Sequence, residues 1–385
     1  MDMAMTILGD ALALLALLGA AYMLVVAFVL ARYFRAAGEA AAGGEAVTLL
    51  KPLHGAEPDL AANLATFLAQ RHDGAVQMIC GVQRPGDPAA GVVEALWAAH
   101  PDADIALVRD GALHGANGKV SNLVNMSHAI SHDVVILSDS DIAVAPDYLA
   151  RVLSALRQDG VGAVTCLYRG RGDAGFWSHV AAAGPSWQFL PGAVFGVALG
   201  IAQPCMGSTI ALRRETLERI GGFARFADIL ADDHAIGVAV RALGLKVAAP
   251  PMLVTHASTE ASFAALWRHE LRWGATVREL VPGATYAASI IAYPLPIALL
   301  ALPFAPAAGL VATMAALASR LTVALVADRI GGGRTASLLL LPLRDIISFA
   351  IFIASFFARS VDWRGATLTM AGNGRVLAET EIPHP

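Results

Sequence analysis

Only three cysteines occur in the 385 residues, Cys80, Cys166 and Cys205, widely spaced and forming no CxxC pair. An odd, scattered set excludes a disulfide framework and a cysteine zinc site, and it suits reduced thiols in a cytoplasmic domain. Charge is scarce too: 15% of residues are Asp, Glu, Lys or Arg, against roughly 25% in ordinary soluble domains. A net charge of -4 removes the electrostatic basis for a nucleic-acid partner. Neither an internal repeat nor a low-complexity block beyond alanine richness is present, which sets repeat architectures aside. What remains is strongly apolar. Hydrophobic residues make up 56% of the chain, so part of it sits in lipid, and the length allows one large domain plus membrane spans.

The apolar residues are distributed in blocks. Ile7 to Leu30 is a nearly unbroken run of spanning length with Asp10 near its outer end. Arg32 and Arg35 follow at once, and the positive-inside rule then places the next segment in the cytoplasm. The run is long for a secretory signal and has no convincing cleavage site, so residues 1–35 read as an anchor. The Ala/Gly-rich stretch 36–46 reads as a linker. From Thr285 to about Phe357 the chain turns apolar again. Pro294, Pro296, Pro303 and Pro306 interrupt it, and Arg320, Arg329, Arg334, Arg344 and Asp345 punctuate it. Two or three spans are expected there, some interfacial or re-entrant, over 284–358, with a tail over 359–385. Arg344 and the adjacent Asp345 are expected to pair inside the bundle.

Between the blocks, 47–283 has the texture of an α/β domain. Short apolar runs at 47–50, 77–82, 105–108 and 134–137 alternate with helical patterns at 59–70, 89–99, 119–130 and 146–157. Such alternation implies a parallel sheet covered on both faces. Ligands bind such sheets beyond the carboxyl ends of the strands.

The chemistry-bearing residues lie at those ends. Ser138-Asp139-Ser140-Asp141 closes the fourth apolar run, and Asp139 and Asp141 can share one hard divalent cation, Mg2+ or Mn2+, that keeps positions open for diphosphate oxygens. The bland alternative is a polar turn. Asp87, after the second run, is either an acceptor for a nucleotide base or ribose or the N-cap of the helix starting at Pro88. Asp232 and Asp233 open a helix, as caps on its dipole or as a general base with a like-charged neighbour. Lys119 starts a helix after Gly115-Ala116-Asn117-Gly118, a setting that suits phosphate without having Walker spacing. His269-Glu270-Leu271-Arg272-Trp273 precedes the second apolar block. Its Arg and Trp suit diphosphate or the membrane interface, and Trp273 stands where the HExxH zinc signature needs His.

In this order the pieces resemble the catalytic domain of ceramide glucosyltransferases and their relatives: three separated aspartate sites, then (Q/R)xxRW. The segment Lys51-Pro52-Leu53-His54-Gly55-Ala56-Glu57-Pro58-Asp59-Leu60 is similar to the family's opening. Asp87, Asp139 and Asp233, with Asp232 beside it, fall at the three aspartates, and Arg272-Trp273 at the final RW. The runs Leu113 to Asn117, Lys119 to Leu123, Ser138 to Ile142, Val164 to Gly170 and Trp267 to Trp273 look like a bacterial branch, the hopanoid-biosynthesis-associated glycosyltransferases. Two departures stand out. His269 replaces the family's Gln or Arg, and Asp141 adds an acid that the animal ceramide enzymes do without.

The resemblance implies a GT-A (Rossmann-like) fold, a UDP-sugar donor, a divalent cation and inversion at the anomeric carbon. It also implies a multi-pass protein of the bacterial inner membrane with its catalytic domain in the cytoplasm. By the same resemblance Asp87 and Lys119 hold the uridine diphosphate, Asp139 and Asp141 bind metal and phosphate, and Asp233 is the base. Arg272 and Trp273, with His269 beside them, close over the donor. The implied acceptor is a hopanoid hydroxyl, in the manner of N-acetylglucosamine transfer to bacteriohopanetetrol, with ceramide as the alternative. Glucose and glucuronic acid stay open as donor sugars. A processive polysaccharide synthase and a nucleotide-binding transporter or scaffold are the remaining rivals. Residues Asp362-Trp363-Arg364-Gly365 resemble a tail held in the cytoplasm, which three full spans after the domain would not allow.

Overall fold

The structure, a computed structural model, describes residues 3–35, 38, 43–55 and 57–358, and backbone strands within 360–378. It opens with helix α1 (Met3–Arg35). An alternating series follows: β1 (Val47–Pro52), α2 (Leu60–Leu68), β2 (Val76–Val82), α3 (Pro88–Ala99), β3 (Asp104–Arg109), α4 (Gly118–Met126) and β4 (Val134–Leu137). Next come β5 (Ile142–Ala143), α5 (Tyr148–Leu156), β6 (Val161–Thr165), β7 (Leu167–Gly172), α6 (Phe176–Gly184), α7 (Leu190–Ala198), β8 (Ile210–Arg213) and α8 (Arg214–Arg219). The series closes with α9 (Asp232–Ala242), β9 (Lys246–Ala248), β10 (Leu253–Ser258) and the long α10 (Phe263–Leu280). The membrane-type helices are α11 (Gly283–Ala288), α12 (Pro294–Ala301), α13 (Pro306–Ile330) and α14 (Leu341–Ser355). Strands β11 (Ser360–Trp363), β12 (Ala366–Met370) and β13 (Val376–Ala378) pair beyond them. Most of the 36–46 linker, and Arg364 and Gly365 of the tail motif, lie outside the described residues.

The main sheet has the order β3-β2-β1-β4-β8-β6-β9. Strands β1 to β4 are mutually parallel, whereas β8 runs antiparallel to both β4 and β6. Every residue of β1 and β4 is buried, the reason these segments read as unbroken apolar runs and not as alternating ones. Alternation survives in the packing. Leu49, Met78 and Ile136 face one core with Phe67, while Leu50, Ile79 and Leu137 face the other with Leu123. The strand order reverses between β1 and β4, and at such a switch point the loops diverge and leave a crevice. A second sheet, β5-β10-β7, stands beside it.

Among the described residues, three helices are long and apolar enough to cross a membrane: α1, α13 and the helix at 338–355. The helical pair at 283–292 and 294–301 is bent by 74° and counts as a fourth only as a broken span. Pro294 and Pro296 explain the break, since proline removes a helical donor and crowds the preceding turn. Small residues let these helices approach closely: Ala13 and Ala16 of α1 pack with Ala298 and Ala301 of α12 and with Ala312 and Ala316 of α13.

The expected pairing of Arg344 with Asp345 is not what forms. Adjacent residues on a helix point about 100° apart and cannot face each other. Asp345 instead receives two 2.8 Å hydrogen bonds from Arg320 of α13, and Arg344 turns to Glu270 of α10. Both members of the Arg320–Asp345 pair are almost fully buried. Removing one partner strands the other charge, so Asp345→Ala is expected to destabilise the protein by about 3–5 kcal/mol. Replacing both, Arg320→Met with Asp345→Leu, is expected to cost much less. Thermal unfolding in detergent compares the two, and equal losses would contradict this account.

Candidate active site

The sheet and α10 enclose a cleft of about 600 Å³ beyond the carboxyl ends of β1 and β4. Lys119, Asp139, Asp141, Asp232, Asp233, His269, Arg272 and Trp273 all line it. They arrive from the loop after β4, the first turns of α4 and α9, and the middle of α10, each for a local reason. Asp139 and Asp141 follow β4 directly. Lys119 sits in the first turn of α4, which Asn117 caps by accepting from Val120 N at 3.0 Å while donating to Ile229 O at 2.7 Å. That second bond ties the start of α4 to the loop preceding α9. Asp232 and Asp233 open α9, where backbone N–H groups and the helix dipole favour carboxylates.

Lys119 is the hub. Its Nζ lies 2.7 Å from Asp139 Oδ1 and 3.5 Å from Asp232 Oδ2. Burial works against its charge, but Asp139, Asp232 and Asp233 outweigh it and raise the amine's pKa. Burial raises the pKa of Asp139, Asp232 and Asp233. Lys119 opposes that rise in all three, and Asp233 is also held by backbone N–H bonds from His234 and Gly207. Asp141 goes the other way: burial would raise it, but the charge and hydrogen bond of His256 bring it down to about 2. His256 Nε2 stands 3.2 Å from Asp141 Oδ2. The imidazole is raised in turn, Asp141 overcoming the effect of burial.

Below the acids, Lys51 is fully buried at the end of β1. Its Nζ donates to Ser138 Oγ and to the Asp139 carbonyl, both at 3.0 Å, and rests 3.3 Å from the centre of the Phe67 ring. Burial pushes this amine down to about 7. The opening segment therefore has a local task, clamping the loop that carries Asp139.

Two carboxylates from one loop suit a hard cation that takes its remaining ligands from phosphate and water. Asp141 Oδ1 is buried with no hydrogen-bond partner among the described residues, an orphan acceptor of the kind a cation would satisfy. Among the described residues no group of three His, Cys, Asp or Glu side chains could hold a metal ion alone. The set fits a cation bound together with a diphosphate.

Asp87 stands apart from this lining. It caps α3 by accepting from Ala89 N at 2.9 Å, and it also accepts from Gly55 N at 2.9 and 3.2 Å. It thus braces the loop after β1, and Pro52 at the end of β1 and Glu57 in that loop do reach the cleft. On α10, His269 bonds closely to Glu260, and its ring meets Trp273 edge-on at 4.3 Å. The Trp273 ring lies 5.7 Å from that of His256. His256, Glu260 and Lys51 were not singled out as chemical groups from the sequence. The signal for His256 is a lone imidazole inside an apolar strand, weak without knowing that β10 adjoins the Asp141 loop.

The family model for glycosyl transferase family 21 matches residues 11–376. The chain belongs to glycosyl transferase family 21. It is 26% identical over 207 residues to ceramide glucosyltransferase 1 of Caenorhabditis elegans, covering 52% of this chain and 43% of that one. It is 30% identical over 118 residues to the ceramide glucosyltransferase of Komagataella phaffii, covering 30% of this chain and 23% of that one. In these matches the chain spans less than half the length of the curated relatives. Among solved structures it resembles the mannosyltransferase PcManGT from Pyrobaculum calidifontis in complex with GDP-Man and Mn2+, at 21% identity and a TM-score of 0.52, covering 91% of this chain and 98% of that one. This likeness shows the fold. The family 21 chain has the GT-A architecture with membrane-type helices at both ends.

The Asp141–His256 bond yields a test of the candidate cation site. Loss of a group that orients a ligating carboxylate typically costs roughly 10–100-fold in metal affinity. His256→Ala is therefore expected to weaken Mn2+ binding by that order in the presence of UDP, measured by electron paramagnetic resonance. Unchanged affinity would separate His256 from the cation site.

Proposed function

We propose that this chain transfers a sugar from a UDP-sugar to a hydroxyl of a membrane lipid with inversion, at the membrane surface. The observation that carries this reading is the change of character along the cleft. One end gathers Asp139, Asp141, Asp232 and Asp233 around Lys119, and the cleft-lining stripe of α10 runs from Arg268, His269, Arg272 and Trp273 to Thr276, Val277 and Leu280. Beyond Leu280 the chain enters the bent apolar pair and the long apolar helices. A charged, phosphate-suited end and an apolar end next in the chain to the membrane-type helices are what an activated sugar and an amphiphilic acceptor need of one cavity.

In this reading Lys119 holds the diphosphate, with Arg272 and Trp273 closing over it and His269 setting the Trp273 ring. Asp87 supports the uridine end through the Gly55 loop. Asp139 and Asp141 hold Mg2+ or Mn2+, which when bound neutralises charge on the departing diphosphate. Asp233 takes the proton of the acceptor hydroxyl, and Asp232 keeps Lys119 in place. The hydroxyl oxygen attacks the anomeric carbon from the face opposite the leaving UDP, through an oxocarbenium-like state. The solved mannosyltransferase with GDP-Man and Mn2+ supports a nucleotide-sugar and a cation, while the match to ceramide glucosyltransferases supports a lipid acceptor.

We place the acceptor among the hopanoids, with N-acetylglucosamine as donor sugar. That choice rests on the resemblance of runs such as Trp267 to Trp273 to the bacterial branch. The setting is the inner membrane of a bacterium, with the cleft on the cytoplasmic side, as Arg32 and Arg35 after α1 favour. Ceramide is the second reading, favoured by the curated relatives.

Membranes enriched in the protein, given labelled UDP-sugars with bacteriohopanetetrol or ceramide, test both. A labelled hopanoid is expected, a labelled ceramide would select the second reading, and UDP-sugar binding without transfer to either lipid would overturn both. Asp233→Asn is expected to lower turnover by about 10²–10⁴-fold, the usual worth of a general base. A loss within about threefold would be too small for that role.

The raised pKa of Asp233 adds a pH signature. A base works deprotonated, so kcat/KM is expected to fall as pH drops through a midpoint above the ordinary 3.8. Asp233→Asn should remove that acidic limb. A pH–rate profile checks it, and a limb that persists in the variant would assign it to another group.

A further inference from the structure

Helix α10 has two working faces. One lines the cleft with His269, Arg272 and Trp273. The other docks on α6 and α14, where Leu266 packs with Val180, Ala181, Ile347 and Ile351. Within that apolar seam lies one ion pair. Arg344 of α14 donates through Nη1 to Glu270 Oε1 at 2.7 Å and through Nη2 closely to Oε2, a two-pronged contact. The guanidinium is itself held, donating to Ser348 Oγ from Nε at 3.0 Å and to the Val180 carbonyl at 3.3 Å. Space comes from Gly184 of α6, where a Cβ would stand 3.2 Å from Glu270 Oε1 and 3.3 Å from the Arg344 guanidinium carbon. The side chains are 2% and 14% exposed for Arg344 and Glu270.

A buried ion pair rarely stabilises more than a well-packed apolar pair would, and its best-attested use is to specify register. A fork between guanidinium and carboxylate is directional where an apolar contact is not. Glu270 immediately follows His269 and lies two residues before Arg272, so whatever fixes its direction fixes theirs. On a helix about 5–6 Å in radius, a roll of about 20° moves a side-chain tip by about 2 Å, and misplacement by about 1 Å can cost on the order of 100-fold in rate.

We propose that the Glu270–Arg344 pair is a positioning device: membrane helix α14 sets the roll of α10 and so holds His269, Arg272 and Trp273 over the carboxylate end of the cleft. Neither residue lines the cleft. The inference rests on the glycosyltransferase reading above and adds to it that the membrane helices hold the site in working geometry as well as tethering it.

The test uses the full-length protein in nanodiscs. The double variant Glu270→Leu/Arg344→Met replaces the fork by apolar contact. Arg344→Lys keeps the charge and loses the fork, and Glu270→Gln keeps the shape. The double variant is expected to melt within a few degrees of wild type while kcat falls about 10–100-fold. Arg344→Lys and Glu270→Gln, which each keep part of the directional contact, should show smaller kcat losses than the double variant. Wild-type kcat in a folded double variant, or in a folded Arg344→Lys should the double variant not fold, would overturn the proposal. So would kcat losses that merely follow the loss of melting temperature across the three. Wild-type protein run alongside keeps the two questions separate: no transfer by wild type counts against the glycosyltransferase reading. In that event UDP binding with Mn2+ decides the positioning role, a weakening of about tenfold in the double variant supporting it and unchanged affinity overturning it.

Discussion

Four carboxylates crowd the switch point of the sheet, three of them, Asp139, Asp232 and Asp233, sharing the largely buried Lys119, and the arrangement of the rest follows from that imbalance. Like charges at close range raise one another's pKa, and burial raises it further. Lys119 offsets part of this, His256 holds Asp141 ionised, and backbone N–H groups at the start of α9 hold Asp233. The remaining negative charge is the electrostatic complement of a divalent cation and the amines that flank a diphosphate. A site so charged has to be assembled from rigid parts, because each carboxylate is tolerated only while its partner is in place. Asn117, Lys51 and Asp87 supply that rigidity by tying loops to one another, not by reaching into the cleft.

The second organising feature is α10. It is the only long helix described that lines the cleft on one side and packs against a membrane-type helix on the other. Its stripe of lining residues turns from charged to apolar along its length, so one helix gives the cleft both a polar and an apolar stretch of wall. The chain then runs directly into proline-broken apolar helices whose buried Arg320–Asp345 pair fixes their mutual orientation. The α/β domain and the membrane-type helices thus meet through a specific polar contact inside an apolar seam.

Much of this was legible in the sequence because it depended on short-range pattern. Strands buried on both faces are mostly apolar, so β1, β2 and β4 announced themselves, as did β3 at the edge by its short apolar run, and Asp139 and Asp141 stood out by ending one. Asp232, Asp233 and Lys119 were conspicuous as charged residues at helix starts. Of the two readings of Asp87, the cap on α3 was visible in the sequence and forms, while its second contact, with the Gly55 loop 32 residues away, was not. What could not be read was partnership across long separations. His256 meets Asp141 only because β10 pairs with β5, Lys51 reaches the Asp139 loop across adjacent strands, and Arg344 lies 74 residues from Glu270. The expected Arg344–Asp345 contact failed for a local reason, helical geometry, that outweighs proximity in sequence.

The most direct test of the central claim is the position of Mn2+ in crystals or particles of the full-length protein grown with UDP, located by its anomalous signal or density. The account requires the ion between Asp139 and Asp141, with the diphosphate against Lys119 and the uridine toward the loop at Gly55. An ion or diphosphate bound elsewhere on the protein, with the four carboxylates and Lys119 undisturbed, would contradict it.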